Sequence, residues 1–555
     1  MEPYAARVRN TTVFVLVGLL AVSCRSESPS NESAAPVENP SQAVAQHPEQ
    51  ELIEGLVLSS RMLARPELNV MGAQGHVSVR SQRNPNHYYI ARYVSAGIVG
   101  MSDIIENDLD SHPVNGPRSD EFEEVHIHGQ IYKARPDVMA VVHAHPPESI
   151  AFSVSSVPLI DGDNPVPVWD IRPVNNGQAG IVNTPELGRS MAQALGSNES
   201  ILLLGHGMVV TSRTLNGVVS SASGLVSTAQ LQQTLIKMGG KADLNPRRVT
   251  APSTDAPPPP TTPGPVVPVP NELSPGGPGG GQRGWDLMKR LVLEENGGKV
   301  PTTTTPAPAK AATPEAAIRQ DLAFASRMLA SLELGVLDFA GHVSVRSSTD
   351  PNRYLISRWS APADATPEGI IENDLDSVAV GGARKDEYRE AYMHGEIYRA
   401  RPDVMAVVHA HTPEVTAFTQ SSVELRPVSN GGRFIGSGLP IFDIRQFHPR
   451  ASIIDSPELG RAIAGVLGKS PAVLLKGHGV TITDSSLYSL VSRAYNLRVN
   501  AIIQQQAISL GGKISYLDGQ AVATTLSQPV VPTGNGGGRG ADRTWEYWLR
   551  VLPVN

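Results

Sequence analysis

Ala134-Arg135-Pro136-Asp137-Val138-Met139-Ala140-Val141-Val142-His143-Ala144-His145 returns unchanged as Ala400 to His411. Val138 to His145 is a short, β-branched apolar run after Arg-Pro-Asp, which suits a buried strand. Working backward, Gly75-His76-Val77-Ser78-Val79-Arg80 recurs as Gly341 to Arg346, and the register between these landmarks never slips. Roughly three fifths of that window is identical, which marks an internal duplication. Working forward, Pro185 to Arg189 returns as Pro457 to Arg461, and Gly205-His206-Gly207 as Gly477-His478-Gly479. The stretch from Arg426 to Phe434 has no full counterpart in copy one. Ile201 to Leu204 suits a second strand. Thr184 before Pro185 is a good N-cap with proline in the first turn, so Pro185–Leu195 and Pro457–Leu467 should be helical. Glu121 to Tyr132 fits a further helix, and the mixture predicts an α/β domain in each copy.

The 555 residues are too many for one ordinary core, and two domains of normal size account for them. A net charge of -7 without a Lys/Arg run excludes a basic stripe, so nucleic acid is not an expected partner. Arg7 and Arg9 precede an apolar run from Val13 to Val22 that is too short to span a bilayer and has the layout of a secretory signal. Ala21-Val22-Ser23-Cys24 resembles a bacterial lipobox, in which the cysteine is lipidated, although an ordinary signal with an incidental cysteine fits the same residues. The expected organisation is a signal at 1–23, a tether at 24–50, domain one at 51–297 with a Pro/Gly-rich spacer at 250–281, a linker at 298–313 and domain two at 314–555. The chain is then exported to the bacterial cell envelope and meets the membrane by its lipid anchor only.

On a strand, side chains two apart share a face, so His143 and His145, like His409 and His411, can hold one ion. A His-x-His pair alone is a weak signal. The third histidine, flanked by glycines at His206 and again at His478, strengthens it, since three neutral imidazoles leave an open position on a divalent cation. Glu124 and His128, like Glu390 and His394, stand four apart and would share a helix face, which also suits a solvated acid beside a packed histidine.

The pattern Glu-x-x-x-His-x-x-Ile-Tyr-x-x-Arg-Pro-Asp-Val-x-Ala-Val-Val-His-x-His, with Gly-His-Gly about sixty residues later, resembles the signature of class II aldolase/adducin domains. The resemblance covers nearly all of both copies. It implies two tandem three-layer α/β/α domains, each with a central mixed, mostly antiparallel sheet covered by helices. It also implies one divalent metal per domain, zinc first, with manganese, iron or cobalt as alternatives. The implied ligands are His143, His145 and His206 in copy one and His409, His411 and His478 in copy two. Glu124 and Glu390 are the implied acid/base groups. His76 and His342, in what reads as a loop, are weaker substrate-binding candidates. The expected reaction is carbon–carbon cleavage of a small hydroxy or keto acid or sugar through a metal-stabilised enediolate, by an aldolase or a decarboxylase. Epimerisation on the same scaffold and a non-catalytic adducin-like binding module are the alternatives.

Where the family's sugar-phosphate members place a serine pair before the glutamate, this chain has Phe122 and Glu123, and Tyr388 and Arg389 in copy two. An acid or an aromatic ring is a poor cradle for a phosphate dianion. The tails repeat as well: Trp285, Met288 and Leu291, like Trp545, Trp548 and Leu549, put large apolar groups on a short segment that cannot bury them alone. Relatives of this domain form four-fold rings, so a chain with two copies should close the same ring as a homodimer of four domains.

Overall fold

A computed structural model describes residues 49–239, 280–381, 387–517 and 539–552, apart from positions 69, 115, 118–120 and 163. The signal, most of the tether with Cys24, and the spacer at 250–279 lie outside the described residues. Each copy folds around one seven-stranded sheet. In copy one the strands are β1 (His76–Arg80), β2 (His87–Ala91), β3 (Ile104–Asp108), β4 (Ala140–Ala144), β7 (Val168–Trp169), β8 (Ser200–Leu203) and β9 (Gly207–Ser212), with β5 (Ile160–Asp161) and β6 (Asn164–Pro165) forming a separate small hairpin. The order is β3-β2-β1-β4-β9-β8-β7, antiparallel throughout except for the parallel pair β7–β8. Copy two repeats it with β10 (His342–Arg346), β11 (Arg353–Ser357), β12 (Ile370–Asp374), β13 (Ala406–Ala410), β14 (Ile441–Phe442), β15 (Ala472–Leu475) and β16 (Gly479–Asp484). The sheet is thus mixed and mostly antiparallel, as expected.

Helices cover both faces because the strands are apolar on both. In copy one the helices are α1 (Gln50–Leu63), α2 (Val125–Ala134), α3 (Pro147–Val154), α4 (Pro185–Leu195), α5 (Leu215–Lys237) and α6 (Gly280–Glu295). Val141 and Val209 pack against α2 and α4 on one face, while Val142 and Val210, one residue along, pack against α1 and α5 on the other. Thr184 caps α4 as predicted, accepting from Leu187 N at 3.3 Å. In copy two α7 (Pro314–Ala330), α8 (Ala391–Ala400), α9 (Pro413–Gln420), α10 (Pro457–Leu467), α11 (Leu487–Ser509) and α12 (Arg539–Val551) take the same places. Among the described residues no helix is long and apolar enough to cross a membrane.

The two tail helices find different surroundings. Trp285 on α6 is buried in copy one's own core. On α12, Trp545 stacks on Tyr488 at 4.0 Å between ring centres, and Trp548 meets Tyr495 edge-on at 5.1 Å, both residues of α11. The same cluster takes in Ala73 and Ile98 of copy one, so α12 cements the copies together. The linker runs along copy one as an ordered strap: Met101 N donates to Pro301 O at 2.9 Å, and Thr304 Oγ1 donates to Asp103 at 2.8 Å.

Candidate metal centre

His143 lies near the end of β4 and His145 just beyond it, while His206 sits in the turn from β8 to β9. That turn needs its glycines. Gly205 has φ +64°, and a side chain on Gly207 would collide with the Ala144 carbonyl and the His145 ring. Gly477 and Gly479 repeat both constraints around His478.

In each copy one glutamate joins the three histidines, with a ligand atom from every residue within 4.8 Å of the others. Glu124 Oε1 is 3.3 Å from His206 Nε2, and its Oε2 is 3.5 Å from His143 Nε2. In copy two His411 Nε2 lies 3.0 Å from His409 Nε2 and 3.1 Å from His478 Nε2. Nitrogens bound tetrahedrally to one zinc ion at 2.0–2.1 Å would stand about 3.3 Å apart, so the convergence fits a shared ion. His143 supplies a second sign. Its Nδ1 contacts the Met208 carbonyl at 3.0 Å, which places the proton there, while the buried Nε2 has no hydrogen-bond partner. A bound cation would satisfy that lone pair.

Surroundings tune these groups. Burial pushes the His145 and His409 pKa values well below the ordinary histidine range, favouring the neutral imidazole that a metal requires. His478 is lowered to about 4, first by burial and then by His411. The two glutamates diverge. Burial alone would raise both, but His206 and His143 outweigh it at Glu124 and hold that carboxyl well below its usual range. Glu390 stays raised, because its histidines stand farther off, at 3.7 and 3.9 Å.

The spacing argument for the glutamates needs correction. Helix α2 begins only at Val125, so Glu124 occupies its N-cap and does not share a helix face with His128. The carboxylate turns toward the histidine cluster, where Val182 N donates to it at 3.3 Å; Ile454 N does the same for Glu390 at 3.0 Å. His128 points elsewhere, into a buried chain. Its Nε2 meets His76 Nδ1 at 2.7 Å and its Nδ1 meets Ser78 Oγ at 2.6 Å, with Tyr132 OH 2.8 Å beyond the serine. Copy two repeats the chain with His342, His394, Ser344 and Tyr398. His76 and His342 are therefore the buried first residues of β1 and β10, not loop residues. Pairing sets His76 opposite His143 and His342 opposite His409, which keeps both at the edge of the metal cluster.

Several site residues carried no signal in the sequence. Asp338 contacts His411 Nδ1 at 3.1 Å and orients it, while copy one has Gly72 at the matching position. More unexpected is what copy two lends to copy one. A cavity of about 330 Å³ over Glu124, His145 and His206 is walled by Asn430, Tyr495 and Trp548 of copy two. Asn430 belongs to the stretch that copy one lacks; its backbone N donates to Gly205 O and its side chain to Gly180 O, both at 2.8 Å. The insert thus braces the turn that presents His206.

Residues 54–233 and 320–504 each match the model of the class II aldolase and adducin N-terminal domain, and the chain belongs to that family. It is 29% identical over 239 residues to decarboxylase tropJ of Talaromyces stipitatus, covering 39% of this chain and 88% of the relative. It is 30% identical over 218 residues to 3,4-dihydroxyphthalate decarboxylase of Arthrobacter keyseri, covering 36% and 83%. Similarity also extends to gamma-adducin of Rattus norvegicus, at 27% identity over 37% of this chain and 29% of that protein. Among solved structures, L-fuculose 1-phosphate aldolase from Glaciozyma antarctica aligns with a TM-score of 0.34 and 20% identity, over 44% of this chain and 92% of the aldolase.

Proposed function

We propose that each copy is a carbon–carbon lyase site that works with a divalent ion, and that the reaction is decarboxylation of an unphosphorylated hydroxy or keto acid. The observation that carries it is the cluster of one glutamate and three histidines, repeated in both copies and, in copy one, open to a cavity. His143, His145 and His206 would hold the ion in copy one, and His409, His411 and His478 in copy two, with zinc favoured by the nitrogen-rich set. When bound, the ion supplies a Lewis acid that draws charge from a substrate oxygen. In the reaction the bond to the carboxylate carbon breaks, its electron pair stays on the substrate, carbon dioxide leaves and a proton is taken up in its place. Glu124 and Glu390 are the groups placed to move that proton. Copy two's walls around the copy-one cavity exclude water from the reacting charge.

Two observations favour decarboxylation over cleavage of a phosphorylated sugar. In copy one Phe122, buried against His76 at 4.5 Å between ring centres, and the exposed Glu123 stand where the family's sugar-phosphate members have a serine pair, so that copy lacks two hydroxyl donors for a phosphate. The similarity to two decarboxylases at 29% and 30% identity points the same way. Incubating the metal-loaded chain with a panel of unphosphorylated hydroxy, keto and catecholic acids should release carbon dioxide from at least one. Cleavage of phosphorylated sugars with no carbon dioxide from any acid would refute the assignment.

We also propose that the chain is exported, acylated at Cys24, and assembled as a homodimer. Support for the dimer comes from unequal surfaces. Tyr93 and Ala73 of copy one are covered by α12, while the matching Trp359 and Phe339 of copy two are 74% and 82% exposed. On α6, Leu287 is exposed where its counterpart Tyr547 on α12 is buried. Seating α6 of a second chain on Trp359 and Phe339 would cover both and close a ring of four domains. Cys24→Ser should release the chain from membranes, and light scattering should give the released protein a mass near two chains, falling to one in Trp359→Asp. A native mass of one chain sinks the ring, and continued membrane retention sinks the anchor.

A further inference from the structure

One wall of copy one's site is a side chain from copy two. Arg543 on α12 lies over Tyr93 and Phe122, with its guanidinium carbon 4.9 and 4.6 Å from their ring centres, and donates to Gly75 O at 3.2 Å. It lines a cavity of about 160 Å³ together with Gln74, His76, Glu123, Glu124 and His145, so a cation there is set against two carboxylates. Among the described residues lining that cavity, Arg543 is the one with a permanent positive charge. The guanidinium is a planar fork of donors that matches a carboxylate in two-point geometry, and stacking on two rings fixes its plane before a ligand arrives.

We infer that Arg543 is the receptor for a substrate carboxylate in the copy-one site, and that the carboxylate it holds is the one the substrate keeps. This rests on the decarboxylase reading. A cation paired with the departing carboxylate would stabilise the charge that must disappear as neutral carbon dioxide forms, and so would oppose the reaction. Held at a second carboxylate, the same cation orients the substrate without that penalty. The substrate class is therefore an unphosphorylated acid with two carboxylates, one lost and one retained. Copy one depends on copy two for this selectivity, since none of its own described lining residues supplies the charge.

The test uses the full zinc-loaded chain with His409→Ala and His411→Ala, so that only copy one reports. Calorimetric titration compares 3,4-dihydroxybenzoate with 3,4-dihydroxybenzamide, which differ chiefly in the charge. Arg543→Gln should weaken the acid by about tenfold or more and leave the amide unchanged, and Arg543→Lys should recover part of the loss. Equal loss for both ligands would make Arg543 a structural clasp on Gly75, and no loss for either would remove it from recognition; each overturns the inference. If the background variant does not fold, the otherwise native chain should show the loss at one of its two sites. The two readings fail separately. Carbon dioxide release by Arg543→Gln at unchanged KM would keep the decarboxylase and discard the receptor. Acid-over-amide selectivity that follows Arg543, without carbon dioxide from any acid, would do the reverse.

Discussion

Elemental analysis of the purified chain should return close to two divalent ions, and the double variant His143→Ala with His409→Ala should return none. Each of these histidines is fully buried on its central strand with Nε2 aimed at the other ligands. Losing one of three nitrogen ligands leaves two histidines and a carboxylate around an unfilled pocket, which costs most of the affinity at each site. The single variants should lose one ion each, because the clusters share no residue. Thermal stability follows, since an ion bound only by the folded state stabilises it by an amount that grows with the logarithm of one plus the free-ion concentration divided by its dissociation constant. Full occupancy in the double variant would refute the ligand assignment.

Glu124→Gln with Glu390→Gln should keep both ions while turnover drops by about two orders of magnitude or more. The amide preserves size and an oxygen for the Val182 and Ile454 backbone donors, so the N-cap geometry survives. What it removes is a group that can take and return a proton. The separate variants should be unequal in their pH response. In the ion-free chain burial raises Glu390, whereas His206 and His143 outweigh burial at Glu124, so proton uptake followed before metal is added should lie at higher pH in the variant that keeps Glu390. Loss of metal with unchanged turnover per bound ion would move both residues out of the chemistry.

Much of this arrangement was legible in the residues, and the limits have physical causes. The strand from Ala140 to Ala144, the helix capped by Thr184 and the glycine-bound turn at His206 each follow from local sequence. Local rules erred where a helix start was decided by tertiary contacts. Nothing in Glu121 to Val125 forbids a helix, yet Glu124 is drawn out of it by the histidines and the Val182 amide. His76 looked like a loop residue because its partners, His128 and His143, lie far along the chain. Asp338, Asn430 and Arg543 were silent for the same reason. Asp338 reaches His411 only once copy two's own sheet has formed, and Asn430 and Arg543 reach copy one only after both sheets have.

The order of synthesis gives that last point a consequence. A ribosome completes the strands, histidines and glutamate of copy one early, yet the helix carrying Arg543 and Trp548 emerges only after copy two has been made. The site encoded first is the last to be enclosed. Until then Glu124, His145 and His206 lack the walls that Asn430, Tyr495 and Trp548 later provide, so closure of the copy-one site waits on the final helix of the chain.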